Sequence, residues 1–418
     1  MLAGDLKAVP DWDVYTIDEN GRRDTSGVKI SGTIDGQPNT IIWLIAVAKT
    51  SRSFTMHFPG GTKINLAPLL GGGTRAAAAT KVPSPTTMPG GAGPLPPAAP
   101  FVCPNPHTVD FSSVLQFGRF DDQWARASVK GGEFYIAMKQ ADSWAWATDS
   151  FPVTDGIFEV DAWQTAAGPG AYGLAFAVDD PDNAKQLYAF AIESDGYYVL
   201  SKYTDGGGWV DLKTRSRTPF LYTDGKPNRL KAVRQGSLIA LYANDIPLAT
   251  VYYPTIADGR YAGLMAWSGR EAAGLEAHFD NYTVCPLTGP YPMPLDPLAR
   301  KAQRWPAGQP VLLTWAWPAA TSSAAQAFAD LADITLIVDG EEYHGLREYW
   351  GTPIPCVQGY AVQWSLPLSD LPTGRHRLEI RVSLPQSVTD GRDQNKDGQP
   401  DTYGPGEVFH NSMELSVE

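Results

Sequence analysis

The feature that most limits how this chain can fold is the run from Gly71 to Pro100, GGGTRAAAATKVPSPTTMPGGAGPLPPAAP. It is too poor in large apolar residues to bury a core, and its prolines favour extended polyproline II at about 3 Å per residue. Separate bodies are therefore predicted on either side of a linker taken as residues 71–102. A second, shorter Pro-rich joint, PLTGPYPMPLDP, covers residues 286–297. This divides the chain into a small N-terminal domain (1–70), the linker, a central module (103–285), the joint and a last domain (298–418). With 418 residues there is chain enough for several cores.

Each body reads as β-structure. In residues 1–70 the apolar runs Trp12–Ile17, Val28–Ile34, Ile41–Ala48 and Ser53–Phe58 are separated by turn signals such as Asp35-Gly36 and Gly60-Gly61. No catalytic or binding chemistry attaches to them. In the central module, strands and turns recur at the regular spacing of a sandwich or jelly roll. Phe158, Val160 and Ala162 alternate with Glu159, Asp161 and Trp163, so one side of that strand is predicted to face the core. The segments Leu174–Val178 and Tyr188–Ile192 are apolar on both sides and read as strands covered on both faces. In the last domain, strands are predicted at Val311–Trp317, Ile334–Asp339, Tyr360–Leu366, Arg377–Val382 and Met413–Val417. One helical patch, Ala324, Ala327, Phe328 and Leu331, follows a Ser-Ser start. The expected fold class is all-β and multidomain, with an immunoglobulin-like sandwich at the end.

The composition narrows the partners. A net charge of -12 repels phosphate backbones and anionic lipid heads, which argues against nucleic-acid and membrane-surface binding. The most apolar run, Thr40–Ala48, is far short of the ~20 residues that span a bilayer. The opening MLAGDLKAVPDWD has neither the basic nor the apolar region of a signal peptide, so the expected extracellular or cell-surface location rests on architecture. Cys103 and Cys285 bracket the central module. If its first and last strands pair, the two can be bridged, adding roughly 2–5 kcal/mol. The other reading is two unrelated buried thiols. Cys356 has no evident disulfide partner and is expected as a buried thiol.

The central runs GIFEVDAWQT, YGLAFAVDDPDNAKQLYAFAIESDGYYVLSKYTDGGGW, NRLKAVRQGSLIALYANDIPLATV, GRYAGLMAW and HFDNYTV resemble the concanavalin A-like/laminin-G-like jelly-roll family over about residues 107–285. The resemblance implies two stacked, curved sheets. It leaves function open, because the family includes glycan binders, adhesive spacers and hydrolases.

The candidate chemistry is of three kinds. Related β-glucanases carry a strand of form E-x-D-x-x-E, and retaining hydrolysis needs two carboxyl groups about 5–5.5 Å apart. Here Glu159 and Asp161 match, but the third position is Gln164, which cannot donate a proton, so hydrolysis is not expected. No nucleophile elbow, zinc-binding helix, P-loop or paired Cys-x-x-Cys is present either. The second kind is aromatic. Trp144, Trp146, Trp163 and Trp267, with Glu159 and Asp161, are taken as candidate glycan-binding residues, Trp209 and Tyr198 lying in or near later strands. Flat rings stack on sugar C–H surfaces while neighbouring carboxylates bond hydroxyls. The third kind is Asp393-Gln-Asn395-Lys-Asp397-Gly398-Gln399-Pro-Asp401, which has the oxygen ligands and position-six glycine of a calcium loop. Gln399 would contribute its backbone carbonyl, and Gly404 stands where an EF-hand has glutamate, with Glu407 near enough to substitute. Structural calcium is the expected cofactor.

Two functions of different class follow. One is a non-catalytic surface module binding a glycan or a cell-surface protein. The other is a self-assembling structural subunit of an extracellular filament or surface layer. A glycoside hydrolase is a weaker third.

Overall fold

The computed structural model describes residues 101–418, apart from 102, 113–116, 166–168, 254–258, 271–272, 296–301, 358, 369–370, 395 and 397, together with the backbone of seven strands in residues 1–70. The chain divides into two compact units, Met1–Val82 and Pro83–Glu418. The Pro-rich linker expected over 71–102 lies outside the described residues, apart from its end at Phe101.

In the first unit β1 (Leu6–Ala8), β4 (Gly27–Ile34) and β5 (Gln37–Ile45) form a three-stranded antiparallel sheet. Two short hairpins accompany it, β2–β3 (Thr16–Ile17, Arg23–Asp24) and β6–β7 (Thr55–His57, Lys63–Asn65). β2, β4, β5 and β6 overlap the four apolar runs read from the sequence, whereas β1, β3 and β7 fall outside them.

The second unit is built of β-strands with one short α-helix and one 3-10 turn (Leu346–Tyr349) among the described residues, so the chain is all-β. Its first half is a jelly-roll sandwich. The strands are β8 (His107–Val109), β9 (Phe120–Asp121), β10 (Ala125–Lys130), β11 (Glu133–Met138), β12 (Trp144–Thr148), β13 (Gly156–Gln164), β14 (Gly170–Val178), β15 (Gln186–Glu193), β16 (Tyr197–Thr204), β17 (Gly208–Arg217), β18 (Asn228–Gln235), β19 (Leu238–Ala243), β20 (Ile246–Tyr252), β21 (Tyr261–Ser268) and β22 (Glu276–Pro286). Six of them form one sheet in the order β12-β21-β14-β15-β16-β17. The others form the second sheet, β20-β19-β18-β13-β22-β11-β10-β9, with β8 also paired to β22. Between the sheets lies a core that includes Phe134, Phe158, Leu174, Phe176, Tyr188, Phe190, Leu241, Leu264 and Phe279, each fully buried. Period-two alternation places these side chains inward and their neighbours outward.

The second half is a two-sheet sandwich. Its strands are β23 (Met293–Leu295), β24 (Gln303–Trp305), β25 (Val311–Ala319), β26 (Asp333–Val338), β27 (Glu341–Tyr343), β28 (Ile354–Cys356), β29 (Gly359–Leu368), β30 (Gly374–Leu384), β31 (Val388–Thr389), β32 (Thr402–Tyr403) and β33 (Gly406–Val417). The sheets run β23-β25-β29-β28 and β24-β33-β30-β26-β27, with β31–β32 as a separate hairpin. The helix Ser322–Leu331 is capped by Thr321, whose hydroxyl accepts from the Ala324 N–H. It buries Ala325, Phe328 and Ala329. Phe328 stacks flat on Trp317, ring centroids 4.0 Å apart.

The joint at 286–297 is more than a spacer. β22 runs to Pro286, and Met293 and Leu295 are fully buried in β23, which pairs in parallel with β25. These two side chains share one apolar cluster with Ile157, Val233, Leu238, Ala240 and Tyr242 on the outer face of the jelly roll. Gln235 fastens the crossing: its Nε2 donates to the Gly289 carbonyl at 2.7 Å, and its Oε1 accepts from the Tyr291 N–H at 2.7 Å. The Thr250 hydroxyl donates to the Pro294 carbonyl. Jelly roll and terminal sandwich therefore share a core. Cys103 and Cys285 are joined by a disulfide at this junction, Cα atoms 5.9 Å apart. Cys356 is buried outside it. Among the described residues no helix is long and apolar enough to cross a membrane.

Candidate functional site

The candidate residues separate onto opposite faces of the jelly roll. On β13 the inward Phe158, Val160 and Ala162 leave Glu159, Asp161 and Trp163 on the outer face of the larger sheet. On β12 the inward Ala145 and Ala147 leave Trp144 and Trp146 on the outer face of the six-stranded sheet, and Trp267 on β21 joins them there. The six residues are not one site, because the whole inter-sheet core stands between the two groups.

The β13 group is held in a charged lattice. Lys231 lies 3.7 Å from Glu159, and Arg229 lies 3.8 Å from Asp161. Asn281 Nδ2 donates to Asp161 Oδ2 at 2.9 Å. Trp163 stacks on His278 with centroids 5.5 Å apart, and the two imidazole nitrogens face Glu133 at 3.0 Å and Glu276 at 2.9 Å. Gln164, the residue that departs from the glucanase pattern, is buried.

The other face carries an aromatic cluster. Trp144 stacks on Trp146 with centroids 4.5 Å apart and planes 18° apart. It also meets Tyr203 at 4.7 Å and, edge to face, Trp209 at 5.1 Å. The register makes this contact informative. Trp144 pairs with Trp267, Trp267 with Ala171 and Ala171 with Glu193. Glu193 lies level with Tyr197, next to the Ile192–Tyr198 pair. Tyr203 is six residues farther along β16, so in a flat sheet Trp144 and Tyr203 would be roughly 27 Å apart. The rings nevertheless meet, so this sheet is curved, and its concave outer face forms a trough along that diagonal.

Small residues make the closure possible. Ala171, Ala175, Ala189 and Ala191 are buried beneath the rings, with Leu187 and Met265. Larger side chains there would hold the rings off the sheet. The cluster is too tight to cage a cation, because centroids 4.5–5.3 Å apart mean that the rings touch one another. What it offers a ligand is outward ring surface, and Trp209 is 37 % exposed.

Trp144 and Trp146 also form a wall of a cleft of about 820 Å³ along the edge strand β12, with Trp124, Phe120 and Tyr261 as further aromatic lining. Trp124 is 48 % exposed and held in place by Asp122, whose Oδ1 accepts from the N–H groups of Trp124 (2.7 Å) and Ala125 (2.9 Å). Arg119, Ser150 and Asp182 add polar lining. Between Thr148 and Ser150 of the lining, the buried Asp149 pairs with His107 at 2.6 Å, and Phe151 stacks on that imidazole. Burial pushes the Asp149 carboxyl above its usual range while His107 pulls the other way. Trp124 and the contact of Tyr203 and Trp209 with Trp144 escaped sequence reasoning. The Asp-Asp-Gln-Trp turn was the one local signal for the first.

On this aromatic face two carboxylates are already engaged. Glu193 binds Arg215 through both oxygens at 2.7 and 2.8 Å, and Asp211 accepts from the Ser201 hydroxyl at 2.7 Å.

In the expected calcium loop, Asp393 Oδ2 accepts from the Gly398 N–H at 2.9 Å, and Asp401 Oδ2 accepts from the Gln394 N–H at 3.0 Å. Gln399 lies in the bend between them, whereas Asn395 and Asp397 lie outside the described residues. Glu407 stands on β33, 3.6 Å from His410. The buried Asp390 anchors the loop base, accepting from Arg392 N, Gln394 Nε2 and the Tyr403 hydroxyl. Burial and the neighbouring Asp390 push the Tyr403 phenol up to about 12. Among the described residues no three histidine, cysteine or carboxylate side chains converge as a metal site.

No protein-family model matches the chain, and no curated protein matches it. Solved structures similar to it include the carbohydrate-binding module CBM66 from Bacillus subtilis, 17 % identical, covering 41 % of this chain and 96 % of that one at a TM-score of 0.33. A Bacillus licheniformis β-glucanase is 13 % identical, covering 44 % and 98 % at 0.35. The Caenorhabditis elegans galectin LEC-6 is 19 % identical, covering 36 % and 94 % at 0.25.

Proposed function

We propose that this chain is a non-catalytic glycan-binding protein whose jelly roll takes the sugar chain along the β12 edge. The observation that carries this reading is the shared wall. Trp144 and Trp146 belong both to the trough cluster and to the 820 Å³ cleft that Trp124 and Tyr261 line. Ring faces set along a cleft suit the C–H surfaces of successive sugar units, and Arg119, Ser150 and Asp182 suit their hydroxyls. Non-catalytic action is supported by the carboxylates. On the aromatic face Glu193 and Asp211 are bound to Arg215 and Ser201. Asp122 in the cleft is bonded to backbone N–H groups, which leaves Asp182 as the single carboxylate there for sugar hydroxyls. Glu159 and Asp161 belong to the opposite face.

The disulfide supports an oxidising, extracellular setting. An immunoglobulin-like reading of the terminal sandwich is supported by its strand order: β23-β25-β29-β28 and β24-β33-β30-β26-β27 follow the A-B-E-D and A′-G-F-C-C′ order of such domains.

The test is affinity electrophoresis of the full chain through gels containing soluble β-glucans, mannans or galactans. Retardation by at least one polysaccharide is expected, with about tenfold weaker binding in Trp146→Ala and Trp124→Ala, about 1.4 kcal/mol each. Glu159→Gln and Asp161→Asn should bind as wild type. Release of reducing ends by the wild type, lost in either carboxylate variant, would replace this reading with a hydrolase.

Calcium is proposed as a staple of the 393–401 loop. The Asp393–Gly398 and Asp401–Gln394 hydrogen bonds close the loop into a tight turn, and its sequence offers Asn395 and Asp397 as further oxygen ligands. Adding EGTA should lower the melting temperature of the wild type by a few degrees and leave Asp393→Ala unmoved. Equal melting of the wild type with and without EGTA would remove calcium from the account.

A further inference from the structure

The two walls of the β12 cleft are joined beside a buried ion pair. One wall is β12, and the other is the segment from Phe117 to Ala125. They meet where Asp149 forms a β-bridge with Phe117, and the Gly118 N–H donates to the Thr148 carbonyl at 3.4 Å. Asp149 is 1 % exposed, although Thr148 and Ser150 on either side of it line the cleft. Its Oδ2 lies 2.6 Å from His107 Nε2, and its Oδ1 accepts from the Phe151 N–H at 3.2 Å. His107 belongs to β8, which pairs with β22 in the larger sheet. The pair therefore links the end of β12, in one sheet, to β8 in the other.

A buried carboxylate is costly unless its charge is matched. Burial pushes the Asp149 carboxyl above its usual range, while His107 pulls it down. The elements around it bring one further titratable group, Tyr282 of β22. It is fully buried, and its hydroxyl has no hydrogen-bond partner among the described residues. Burial and the charge of Asp149 hold that phenol well above its usual range. Phe111 and Phe117, packed at the same corner, carry no charge. The His107 ring stacks on Phe151 with centroids 4.3 Å apart, and its side chain keeps 21 % of its surface open to solvent.

We propose that the His107–Asp149 pair is a latch at the hinge of the cleft, which holds the walls at the spacing that binds glycan near neutral pH and releases them in mild acid. The proposal rests on the glycan-binding reading above and adds its regulation. Protonating Asp149 removes the charge that holds the imidazole across the sandwich, and the freed cation turns toward solvent. β12 is outermost in its sheet, so the wall bearing Trp146 is the one that shifts. Release is not unfolding. With its folded-state value raised, Asp149 binds its proton more tightly in the fold than in the unfolded chain. Its cost is therefore present at neutral pH and vanishes as pH falls through that value. Acid weakens binding without Asp149 weakening the fold.

The test is calorimetric titration of the full chain with soluble β-glucan, mannan and galactan at about pH 7 and about pH 5. With a polysaccharide that binds, the wild type should lose about tenfold in affinity at the lower pH. Asp149→Asn and His107→Gln should bind with the weak, acid-form affinity at both. His107 is partly exposed, so its variant keeps one arm of the test free of core packing. Near-UV circular dichroism checks that each protein is folded at each pH. Equal wild-type affinity at the two pH values would overturn the proposal. So would a pH dependence that both variants retain, which would place it on Asp182 in the cleft. Absence of binding to all three polysaccharides at either pH would remove the glycan-binding reading, and this proposal with it.

Discussion

Gly263→Ala is expected to lower the stability of the jelly roll by about 3 kcal/mol, the upper end of overpacking penalties. Gly263 lies on β21 opposite Thr148 of β12. A Cβ there would sit 2.0 Å from the Ala147 carbonyl oxygen and 2.7 Å from the Thr148 Cα, both backbone atoms of the edge strand. A clash with a flexible side chain would be relieved by rotation. Here one strand must leave the other, and β12, outermost in its sheet, is the strand free to move. Trp144 and Trp146 leave with it. Calorimetry should show a melting temperature lower by about 6–12 °C, and gel retardation by polysaccharide should vanish even where the variant stays folded. Melting and binding like the wild type would mean that the two backbones do not approach as described.

Replacing Cys103 and Cys285 together with serine is expected to cost about 4 kcal/mol. The bridge joins residues 182 apart, and the entropy of closing so long a loop corresponds to roughly 5 kcal/mol in the chain-entropy model. Engineered removals usually cost somewhat less, because the unbridged chain keeps residual structure. Equilibrium denaturation in guanidinium, with and without reductant, measures the difference. A wild type whose midpoint ignores reductant, although its thiols then titrate as free, would show that the bridge adds nothing to stability.

Much of the fold was legible because alternation is a local property. Phe158, Val160 and Ala162 announced an inward face, and the apolar run Leu174–Val178 a strand covered on both sides. Alternation separates inward from outward, but it does not say outward from which sheet. Trp144 and Trp163 carry the same signature and end up on opposite sides of the sandwich, so grouping them as one site failed for a reason no period could reveal. The meeting of Trp144 with Tyr203 depends on curvature accumulated over five strands, which likewise leaves no local trace. The joint at 286–297 shows the converse. Met293 and Leu295 alternate around Pro294, a readable strand signal, but proline content pointed to a linker. The structure reconciles the two by placing β23 at a sheet edge, where proline is tolerated.

The shared core has a consequence for how this protein can be cut, copied or recombined. A cassette that travels between proteins needs a polar skin on every side. The jelly roll lacks one where Val233, Leu238 and Tyr242 meet Met293 and Leu295. Severed after Pro286, it would present that apolar patch to solvent and aggregate. The smallest portable piece of the second unit is therefore the jelly roll and its sandwich together, and any exchange that kept it soluble would have to carry both.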